Sequence, residues 1–570
     1  MSILRTRIPV VFAVIACAGL VSCGPAAETE GSVPTFSNPI IPGFAPDPSI
    51  VRVGDDFWLV NSTFEYFPGI PIYHSTDLVN WELVNYALTR PSQADLATLK
   101  SSDGIHASTI RYHDGTYYII TTNNIDGNML NFVVTASDPR GEWSEPQVLD
   151  GAPGIDPSLF FDDDGRAWYV GNWIPPDPEF PGQAEIWLQE VDIGAMKLVG
   201  DRHFLWRGCC GGVWAEGPHI YKRDGWYYLL ISEGGTSFDH AMAIAISKDI
   251  TGPYRSNARN PVLTHRHLSY DYPISGVGHA DLVELEDGRW YAVALGWRLV
   301  DGKYGILGRE TFLVPVTWEE EPYAWKAEKL QWPVFSPVTG KVELEYPTPF
   351  GNRARVNDYR FRDDFVESDL APEWNFRRTP VQGVATVDVH AGELRLRLMP
   401  AAIGARQQYA FTGIRQRHFE FEALTRMTLE SDQPAAEAGM ALIMNDRSAL
   451  LFTLTASGEL QVTHNREGDT ERLATTGFEG REVFLKVIAD YLSLGFYYSA
   501  DAESWQTLVE GIDGSMLAPE RIGGYNYTGV YVGLYGSTNG TGEGEARYDF
   551  MEYRPTVTDG NDWFSRRRAE

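Results

Sequence analysis

Carboxylate and imidazole side chains occupy corresponding positions in a pattern that recurs along the first half of the chain. Each copy begins just before a short apolar strand, and two copies carry the same triplet, Asp-Pro-Ser. Such groups exchange protons in general acid–base catalysis, whereas crowding like charges raises their pKa values and does not stabilise a fold. Capping of the following amides by Asp is the alternative for Asp-Pro-Ser, but a third carboxylate at the equivalent place favours a catalytic site. The side chains at this position are Asp47, His106, Asp156, Glu216 and His279.

The repeated pattern is a β-hairpin: a short apolar strand, a turn rich in Asp and Gly, and a strand rich in aromatic residues. Corresponding aromatic residues of the five copies lie between 51 and 63 residues apart, with no helical pattern between them. A period of this size predicts a five-bladed β-propeller over about residues 36–320. Because the innermost strands of a propeller converge on its axis, the opening residues are expected at one mouth of the central channel.

The second half of the chain predicts a different all-β unit. Residues 321–357 are rich in proline and aromatic residues, which indicates an ordered linker. From about Arg360 the strands become longer and alternate apolar with polar side chains, as in GMALIMNDRSALLFTLTA. This alternation predicts a β-sandwich over residues 358–556. Residues 557–570 are interpreted as a surface tail.

The N-terminus has the pattern of an export signal. Arg5 and Arg7 precede an apolar run that is too short for a comfortable membrane span of about 20 residues. The run ends in Leu-Val-Ser-Cys at Cys23, which resembles a bacterial lipobox. This predicts a lipoprotein signal peptide over residues 1–22, a tether over residues 23–35, and a protein anchored by lipid in the bacterial envelope, in the periplasm or at the cell surface. The alternative is an ordinary secretory signal and a secreted protein.

Composition and charge exclude one class of partner. The formal net charge is −30, from 47 Lys and Arg against 77 Asp and Glu. Nucleic-acid binding is driven largely by basic side chains, so nucleic acid is not expected as a partner. Aromatic residues make up 13% of the chain, a content that suits β-structure and flat stacking surfaces for sugars. Contact with a membrane is expected only through the N-terminal lipid.

Several stretches resemble glycoside hydrolase family 43, and most closely its β-xylosidase and α-L-arabinofuranosidase members with a C-terminal β-sandwich. The resemblance implies an all-β fold, with a five-bladed β-propeller followed by a concanavalin-like β-sandwich. It also implies an exo-acting, inverting hydrolase that releases xylose or arabinofuranose from hemicellulose oligosaccharides. The stretches that carry it include NPIIPGFAPDPSIV (38–51), GIDPSLFFDDDG (154–165), SGVGHADLVE (275–284) and LGRETFLVPV (307–316).

The resemblance assigns roles to the three carboxylates. Asp47 matches the general base, Glu216 the general acid, and Asp156 a third carboxylate that orients the acid and opposes loss of its proton. An inverting glycosidase needs an acid to protonate the leaving oxygen and a base to activate water on the opposite face of the sugar. Its two carboxyl groups stand about 6.5–9.5 Å apart, which leaves room for the water.

Four further residues match positions around the site. Arg309 matches a clamp on sugar hydroxyls and Phe64 an aromatic wall of the pocket, while His240 matches a motif position nearby. His279 matches an axial histidine that in many members lies beside a bound calcium or water. The resemblance therefore implies a candidate structural calcium at the propeller axis and no cofactor for catalysis. The alternatives are a surface ion pair for Arg309, a core position for Phe64 and a purely structural histidine.

Other positions depart from the family pattern or leave alternatives open. His106 stands where many relatives carry tryptophan, and it either binds a sugar hydroxyl or fills the space. Tyr525 and Tyr527 match a loop of the sandwich that reaches the pocket rim; the alternative is ordinary strand residues. The adjacent Cys209 and Cys210 form either a vicinal disulfide or two free thiols.

A non-catalytic lectin and a retaining fructan hydrolase are the alternatives to an inverting glycosidase. A non-catalytic surface lectin would hold glycan for a partner enzyme, but it has no use for an acid–base pair. A retaining fructan hydrolase on the same propeller would need an Asn-Asp-Pro-Asn-like nucleophile motif, which the segment around Asp47 lacks. Xylose and arabinofuranose present similarly placed hydroxyls, so the sequence leaves the choice between them open.

Overall fold

The computed structural model describes residues 33–209, 212–322, 326, 328–352, 359–524 and 526–556. The predicted signal peptide, most of the tether and the tail therefore lie outside the described residues, as do Cys210 and Tyr525. Almost all of the regular structure consists of β-strands, which confirms the all-β prediction. Within the described part of the chain, no helix is long and apolar enough to cross a membrane.

Five antiparallel sheets, one for each repeat found in the sequence, confirm the five-bladed propeller. Every blade runs in chain order from an inner to an outer strand. The first is formed by β2 (Ser49–Val53), β3 (Asp56–Val60), β5 (Gly69–Ser75) and β6 (Glu82–Leu88), and the second by β7 (Gly104–His113), β8 (Thr116–Ile125), β9 (Asn128–Ala136) and β10 (Gln147–Val148). The third is formed by β11 (Ser158–Phe161), β12 (Ala167–Trp173), β13 (Glu185–Asp192) and β14 (Lys197–Trp206). The fourth is formed by β15 (Glu216–Arg223), β16 (Trp226–Glu233), β17 (Ala241–Ser247), β18 (Arg255–Ser256) and β19 (Leu263–Thr264), and the fifth by β20 (Ile274–Glu284), β21 (Trp290–Arg298), β22 (Glu310–Glu320) and β23 (Gln331–Phe335).

The turn chemistry read from the sequence explains the hairpins. Between β7 and β8, Asp114 and Gly115 have φ values of 47° and 80°. Two successive residues in the left-handed region form the tight turn that matches the twist of paired strands. The Asp224-Gly225 pair between β15 and β16 has the same conformation, with φ values of 50° and 71°, so such a pair sets the register of these two blades.

The segment predicted as a linker contains strands of its own. β23 lies inside it as the outermost strand of the fifth blade, and β24 (Glu345–Pro347) pairs with β1 (Thr35–Ser37) near the start of the described chain. Proline within QWPVF weakens a strand pattern in sequence, but an outer strand needs hydrogen bonds on one side only. The propeller thus extends beyond residue 320, its predicted end.

The second unit is a sandwich of two eight-stranded sheets, as predicted. Its apolar core lies between the sheets, and in β30 every second side chain points into it. The first sheet contains β25 (Phe361–Asp363), β27 (Ala385–Asp388), β28 (Glu393–Arg397), β30 (Glu420–Glu430), β35 (Glu482–Asp490), β36 (Ser493–Ser499), β37 (Gln506–Asp513) and β39 (Glu545–Pro555). The second contains β26 (Asn375–Arg377), β29 (Ala410–Arg415), β31 (Glu437–Asn445), β32 (Ser448–Thr455), β33 (Glu459–Arg466), β34 (Asp469–Gly477), β38 (Tyr531–Ser537) and the short strand β4 (Tyr66–Phe67). A 3₁₀ turn at Gly514–Leu517 and the one-turn helix α1 (Pro519–Ile522) precede β38.

The strand β4 belongs to the first blade in sequence but to the sandwich in space. It continues the second sheet by pairing with β26, so that Phe67 lies opposite Phe376. The ring of Tyr66 stacks on that of Tyr531, with centroids 3.9 Å apart. The two units therefore share a sheet.

A buried ionic cluster reinforces this junction. Arg377 Nη2 lies 2.8 Å from Glu65 Oε1, and Arg378 Nη2 lies 2.6 Å from Asp446 Oδ2. Ser101 of the propeller donates its hydroxyl hydrogen to Asp446 at 2.9 Å. Because Glu65 follows Phe64 in the chain, the cluster fixes the sandwich beside the mouth of the propeller.

Candidate active site

The innermost strands begin with a sharp turn of the backbone at one mouth of the channel. Asp47, Asp156, Gly217 and His279 occupy the same position of four blades, with φ values of 50°, 55°, 55° and 44°. Asp, His and Gly are the residue types that best tolerate this left-handed conformation. Glu216 precedes Gly217 at the start of β15, where the register with β16 shifts. The three predicted carboxylates are thus brought to one mouth.

Asp47 is held as an anion. Its Oδ1 accepts a hydrogen bond from Arg309 Nη1 at 2.8 Å, and its Oδ2 accepts one from the Ser62 hydroxyl at 2.5 Å. His279 Nδ1 lies 3.6 Å from Oδ1. Burial on its own would raise the pKa of Asp47, but Arg309, His279 and Ser62 together bring that pKa below its ordinary value. A buried carboxylate that stays ionised suits a base that activates water.

Asp156 has the opposite electrostatic environment. Burial, followed by the neighbouring charges of Glu216 and Asp47, raises the pKa of Asp156 well above its ordinary value. Its Oδ2 accepts a hydrogen bond from Gly217 N at 3.2 Å. The sequence interpretation placed the proton on Glu216 and the charge on Asp156. The structure instead raises the pKa of Asp156, so that burial and the neighbouring charges favour its protonated form.

Glu216 contacts a buried histidine. Its Oε1 lies 3.5 Å from His240 Nε2, and the His240 side chain is fully buried. The other ring nitrogen, Nδ1, lies 3.2 Å from the carbonyl oxygen of Gly276. Since a carbonyl oxygen only accepts hydrogen bonds, Nδ1 carries a proton, and Nε2 faces the carboxyl group of Glu216. His240, predicted to bind substrate, is therefore placed to orient the carboxyl group of Glu216.

Arg309 connects the anion to the pocket wall. Besides Asp47, its guanidinium donates to Thr236 Oγ1 at 3.0 Å and to the carbonyl oxygen of Tyr527 at 3.4 Å. The guanidinium carbon lies 5.5 Å from the Phe64 ring centroid and 5.3 Å from that of Tyr527. Its Nε is buried and has no hydrogen-bond partner among the described residues. A buried donor of this kind is costly unless a ligand satisfies it.

Three rings form the wall beside Arg309. The Phe64 centroid lies 5.0 Å from that of His106 and 5.4 Å from that of Tyr527. Tyr527 comes from the sandwich, and its backbone N–H donates to the hydroxyl of Ser102 at 3.0 Å. Burial lowers the pKa of His106 to about 4, so its ring is neutral at ordinary pH. The structure thus brings four of the five predicted binding residues to one side of the mouth, where the sandwich completes the wall: Phe64, His106, Arg309 and Tyr527.

The axis below the mouth is filled by a network centred on Asp281. Arg111 Nη1 lies 2.8 Å from Asp281 Oδ2, the Ser49 hydroxyl donates to the same oxygen at 2.7 Å, and the Tyr221 hydroxyl donates to Oδ1 at 2.6 Å. Burial on its own would raise the pKa of Asp281, but Arg111 and the other donors bring it well below its ordinary value. Arg111 also donates to His219 Nδ1 at 2.9 Å.

The calcium that the family resemblance implies stays a prediction, because the described side chains at the axis offer few of the oxygen ligands that calcium needs. Calcium takes six to eight oxygen ligands, whereas Asp281 is already neutralised by a guanidinium. His279 offers ring nitrogens, and its backbone N–H donates to Ser232 Oγ at 2.6 Å. In the described ranges, no group of three or more His, Cys, Asp or Glu side chains is arranged to hold a metal ion.

Cys209 lies in the loop before Glu216. It is buried, and its backbone N–H donates to Glu233 Oε2 at 2.9 Å. Since Cys210 lies outside the described residues, the vicinal disulfide stays a prediction, and so does a role for Tyr525 at the rim.

Some contacts of the site were not predicted from the sequence. Examples are the hydrogen bond from Ser62 to Asp47, the hydrogen bond from Arg309 to Thr236, and the ion pair of Arg111 with Asp281 at the axis. Ser62 and Thr236 lie inside two further stretches that resemble the family, residues 61–81 and 216–254, but the resemblance assigned them no role. Arg111 occupies an ordinary strand position, and nothing local marks it.

Comparisons with known proteins agree with this geometry. The family model described as glycosyl hydrolases family 43 matches residues 36–323, and the model described as a β-xylosidase C-terminal concanavalin A-like domain matches residues 362–554. A protein of Butyrivibrio fibrisolvens named xylosidase/arabinosidase is 41% identical over 524 residues, which cover 88% of this chain and 96% of the relative. A non-reducing-end α-L-arabinofuranosidase of Bacteroides ovatus is 36% identical over 531 residues, covering 91% and 95%. The crystal structure of a xylan β-1,4-xylosidase from Bacillus halodurans superposes with a TM-score of 0.83 at 32% identity, covering 91% of this chain and 100% of that one.

Proposed function

The chain belongs to family 43 of the glycosyl hydrolases, and on that premise we propose that it is an exo-acting, inverting glycosidase. It removes single xylose or arabinofuranose units from the non-reducing ends of hemicellulose oligosaccharides. The observation that carries this proposal is the pairing of an ionised, buried Asp47 with a separate carboxyl pair, Asp156 and Glu216, at the same mouth. A glycan-binding lectin has no use for such a division of charge.

The three carboxylates have distinct tasks in this reaction. Asp47 accepts a proton from the attacking water as the general base, and Glu216 gives its proton to the leaving oxygen as the general acid. Asp156, whose pKa is raised by burial and by the neighbouring Glu216, lies beside the acid as the third carboxyl group. His240 orients the acid from behind through the contact of 3.5 Å. Because water attacks directly from the face opposite the leaving group, the product has the inverted anomeric configuration.

The pocket wall supports removal of one terminal unit at a time. Phe64, His106 and Tyr527 close one side, and all three are largely buried. The guanidinium of Arg309 lies against two rings of this wall and is its cationic group. A ring wall with a single cationic donor suits a monosaccharide end, since aromatic faces pack on sugar C–H groups while the guanidinium binds hydroxyls.

The names of the relatives indicate two candidate sugars, xylose and arabinofuranose, and do not choose between them. One relative is named xylosidase/arabinosidase and another α-L-arabinofuranosidase. We therefore expect activity on β-xylosides, α-L-arabinofuranosides or both. Rates on a panel of aryl glycosides, with the first product anomer followed by NMR, test this expectation. A first product that keeps its configuration contradicts the inverting mechanism.

A pair of variants separates the acid from the base. Glu216→Ala should retain far more activity on a dinitrophenyl glycoside than on a disaccharide, because a good leaving group needs no protonation and acid assistance is worth about 10²–10⁴-fold. Asp47→Ala should lose activity on both, since both substrates need an activated water. Glu286→Ala, at an exposed position, is the matched control and should leave both rates unchanged. Equal losses on the two substrates in Glu216→Ala contradict the assignment.

We also propose that the protein is anchored in the bacterial envelope by lipid on Cys23. Support comes from the lipobox-like Leu-Val-Ser-Cys after the apolar run. Cys23→Ala should abolish palmitate labelling and either release the protein from membranes or leave the signal uncleaved. Cys17→Ala, inside the predicted signal peptide, is the control and should label like the parent. Equal labelling of Cys23→Ala and the parent rules out the anchor.

A further inference from the structure

Exposed apolar side chains are gathered on one half of the rim around the mouth. The sandwich covers the other half, where it contacts Glu65, Asp126 and Gly305. Each innermost strand begins at the mouth that carries Glu216, so the loops before β15, after β12 and between β16 and β17 all lie at that mouth. These loops and the one before β20 carry Ile174, Trp214 and Tyr270, which are 59%, 47% and 67% exposed.

Trp214 is held in a left-handed backbone conformation. Its φ is 53°, a value that bulky residues rarely adopt. Its backbone N–H donates to the carbonyl oxygen of Gly182 at 2.7 Å. A Cβ at Gly182 would lie 3.0 Å from the indole Cε2, and a Cβ at Gly235 would lie 3.1 Å from Cε3. Two backbone segments without side chains thus clamp the indole, while nearly half of the residue stays in water.

The clamp is continuous with the catalytic groups. Trp214 lies two residues before Glu216 in the chain, and Gly235 is followed by Thr236, whose hydroxyl accepts a hydrogen bond from Arg309. Burying a tryptophan is favourable, so an indole fixed at an exposed position beside an acid points to a ligand. A general acid lies next to the oxygen of the leaving group. The surface on the solvent side of Glu216 therefore contacts the leaving group of the substrate.

We propose that Trp214 is the stacking platform for the sugar unit on the leaving side of the scissile bond. This rests on the proposed function, since it assumes that Glu216 protonates the oxygen of a sugar leaving group. Sugar rings expose C–H faces that pack on an indole, and a platform fixed in advance costs little ordering on binding. Phe238 and Tyr270 stack on each other with centroids 4.4 Å apart on the same half of the rim, where a longer chain continues.

The test compares substrates that differ only on the leaving side. The glycosyl fluoride of the sugar that the enzyme hydrolyses has no ring there, while the corresponding disaccharide has one. Trp214→Ala should lower kcat/KM on the disaccharide about tenfold and leave the fluoride rate within about twofold of the parent. Trp214→Phe should recover most of the disaccharide rate, because it restores an aromatic face.

Trp505→Ala is the matched control. Trp505 lies on the sandwich, where Lys486 Nζ is 3.9 Å above its ring, and its loss should change neither rate. The unchanged fluoride rate also serves as the measure of intact folding in Trp214→Ala. Equal losses on fluoride and disaccharide, or no loss on either, overturn the inference and leave the proposed function standing. A parent protein that hydrolyses no glycoside overturns the proposed function itself.

Discussion

At the residue scale, one guanidinium determines the state of the general base. Burial raises the pKa of Asp47, and Arg309 is the largest of the influences that lower it. The same side chain contacts two rings of the wall and carries a buried, unpartnered Nε among the described residues. Arg309 therefore links the charge of the base to the binding of the sugar.

Replacing this guanidinium should move the pH dependence in a defined direction. In Arg309→Gln, burial is no longer opposed by the nearby cation, so the pKa of Asp47 rises. A base must be unprotonated, and the acid limb of the kcat/KM profile should therefore move to higher pH. Activity at the optimum should fall by about 100-fold, the usual effect of removing one preorganised donor.

The control for this change is Arg166→Gln, which removes an exposed guanidinium paired with Asp164. Its profile should match that of the parent, with a dinitrophenyl glycoside as substrate in all three proteins. An acid limb in Arg309→Gln that coincides with the parent's contradicts the link between Arg309 and Asp47.

At the scale of elements, a single backbone bridge places the aromatic wall. Phe64 N donates to Ile105 O at 2.8 Å, and Ile105 N donates to Phe64 O at 3.0 Å, which joins the first blade to the second. Gly104 has a φ of 92°, and a Cβ there would lie 2.3 Å from the Phe64 carbonyl oxygen. The missing side chain is what allows the two blades to approach at the pocket.

Gly104→Ala should therefore displace Phe64 and lower kcat/KM by about tenfold or more, as small misplacements of binding groups do. Gly115→Ala is the control, because Gly115 has a similar φ of 80° with nothing within 4 Å of its would-be Cβ. Both variants should lose about 1–2 kcal/mol of stability from the left-handed backbone. Only Gly104→Ala should also lose activity, and equal activity in the two contradicts a positioning role for the bridge.

The elements also mark the boundary of what the sequence predicts. The hairpins and blades follow from local signals, such as the two left-handed residues at Asp114 and Gly115, and the repeat locates the carboxylates. Pairing of Phe67 with Phe376 has no local signal, because it depends on how two distant units dock. The contact between His240 and Glu216 and the exposed clamp of Trp214 likewise arise from packing between loops of different strands.

At the scale of the whole molecule, the ionic cluster joins the two units. Asp446 contacts Arg377 and Arg378 of the sandwich and Ser101 of the propeller. Burial on its own would raise the pKa of Asp446, but the two arginines bring it below its ordinary value. A carboxylate whose pKa is lower in the folded state stabilises the protein above its unfolded pKa, and this contribution is lost as the pH falls.

Asp446→Asn should lower the free energy of unfolding at pH 7 by about 3–5 kcal/mol, because it leaves the buried guanidinium of Arg378 without its carboxylate partner. The difference from the parent should shrink as the pH falls below about 4, since the parent then loses the same charge. Asp364→Asn, which breaks an exposed pair with Arg362, should cost at most about 1 kcal/mol. Urea unfolding followed at several pH values measures both, and a difference independent of pH contradicts the charge-based account.

The shared sheet can form only late in the synthesis of the chain. A ribosome produces β4 about 310 residues before its partner β26. At roughly 5–20 residues per second, about 15–60 s therefore pass before the edge of β4 can pair with β26. An exposed strand edge of that kind pairs readily with a neighbouring chain. The edge of β4 in the propeller is therefore covered only after the C-terminal half of the chain has been made. A chain released early keeps this edge exposed and is a target for chaperones and proteases.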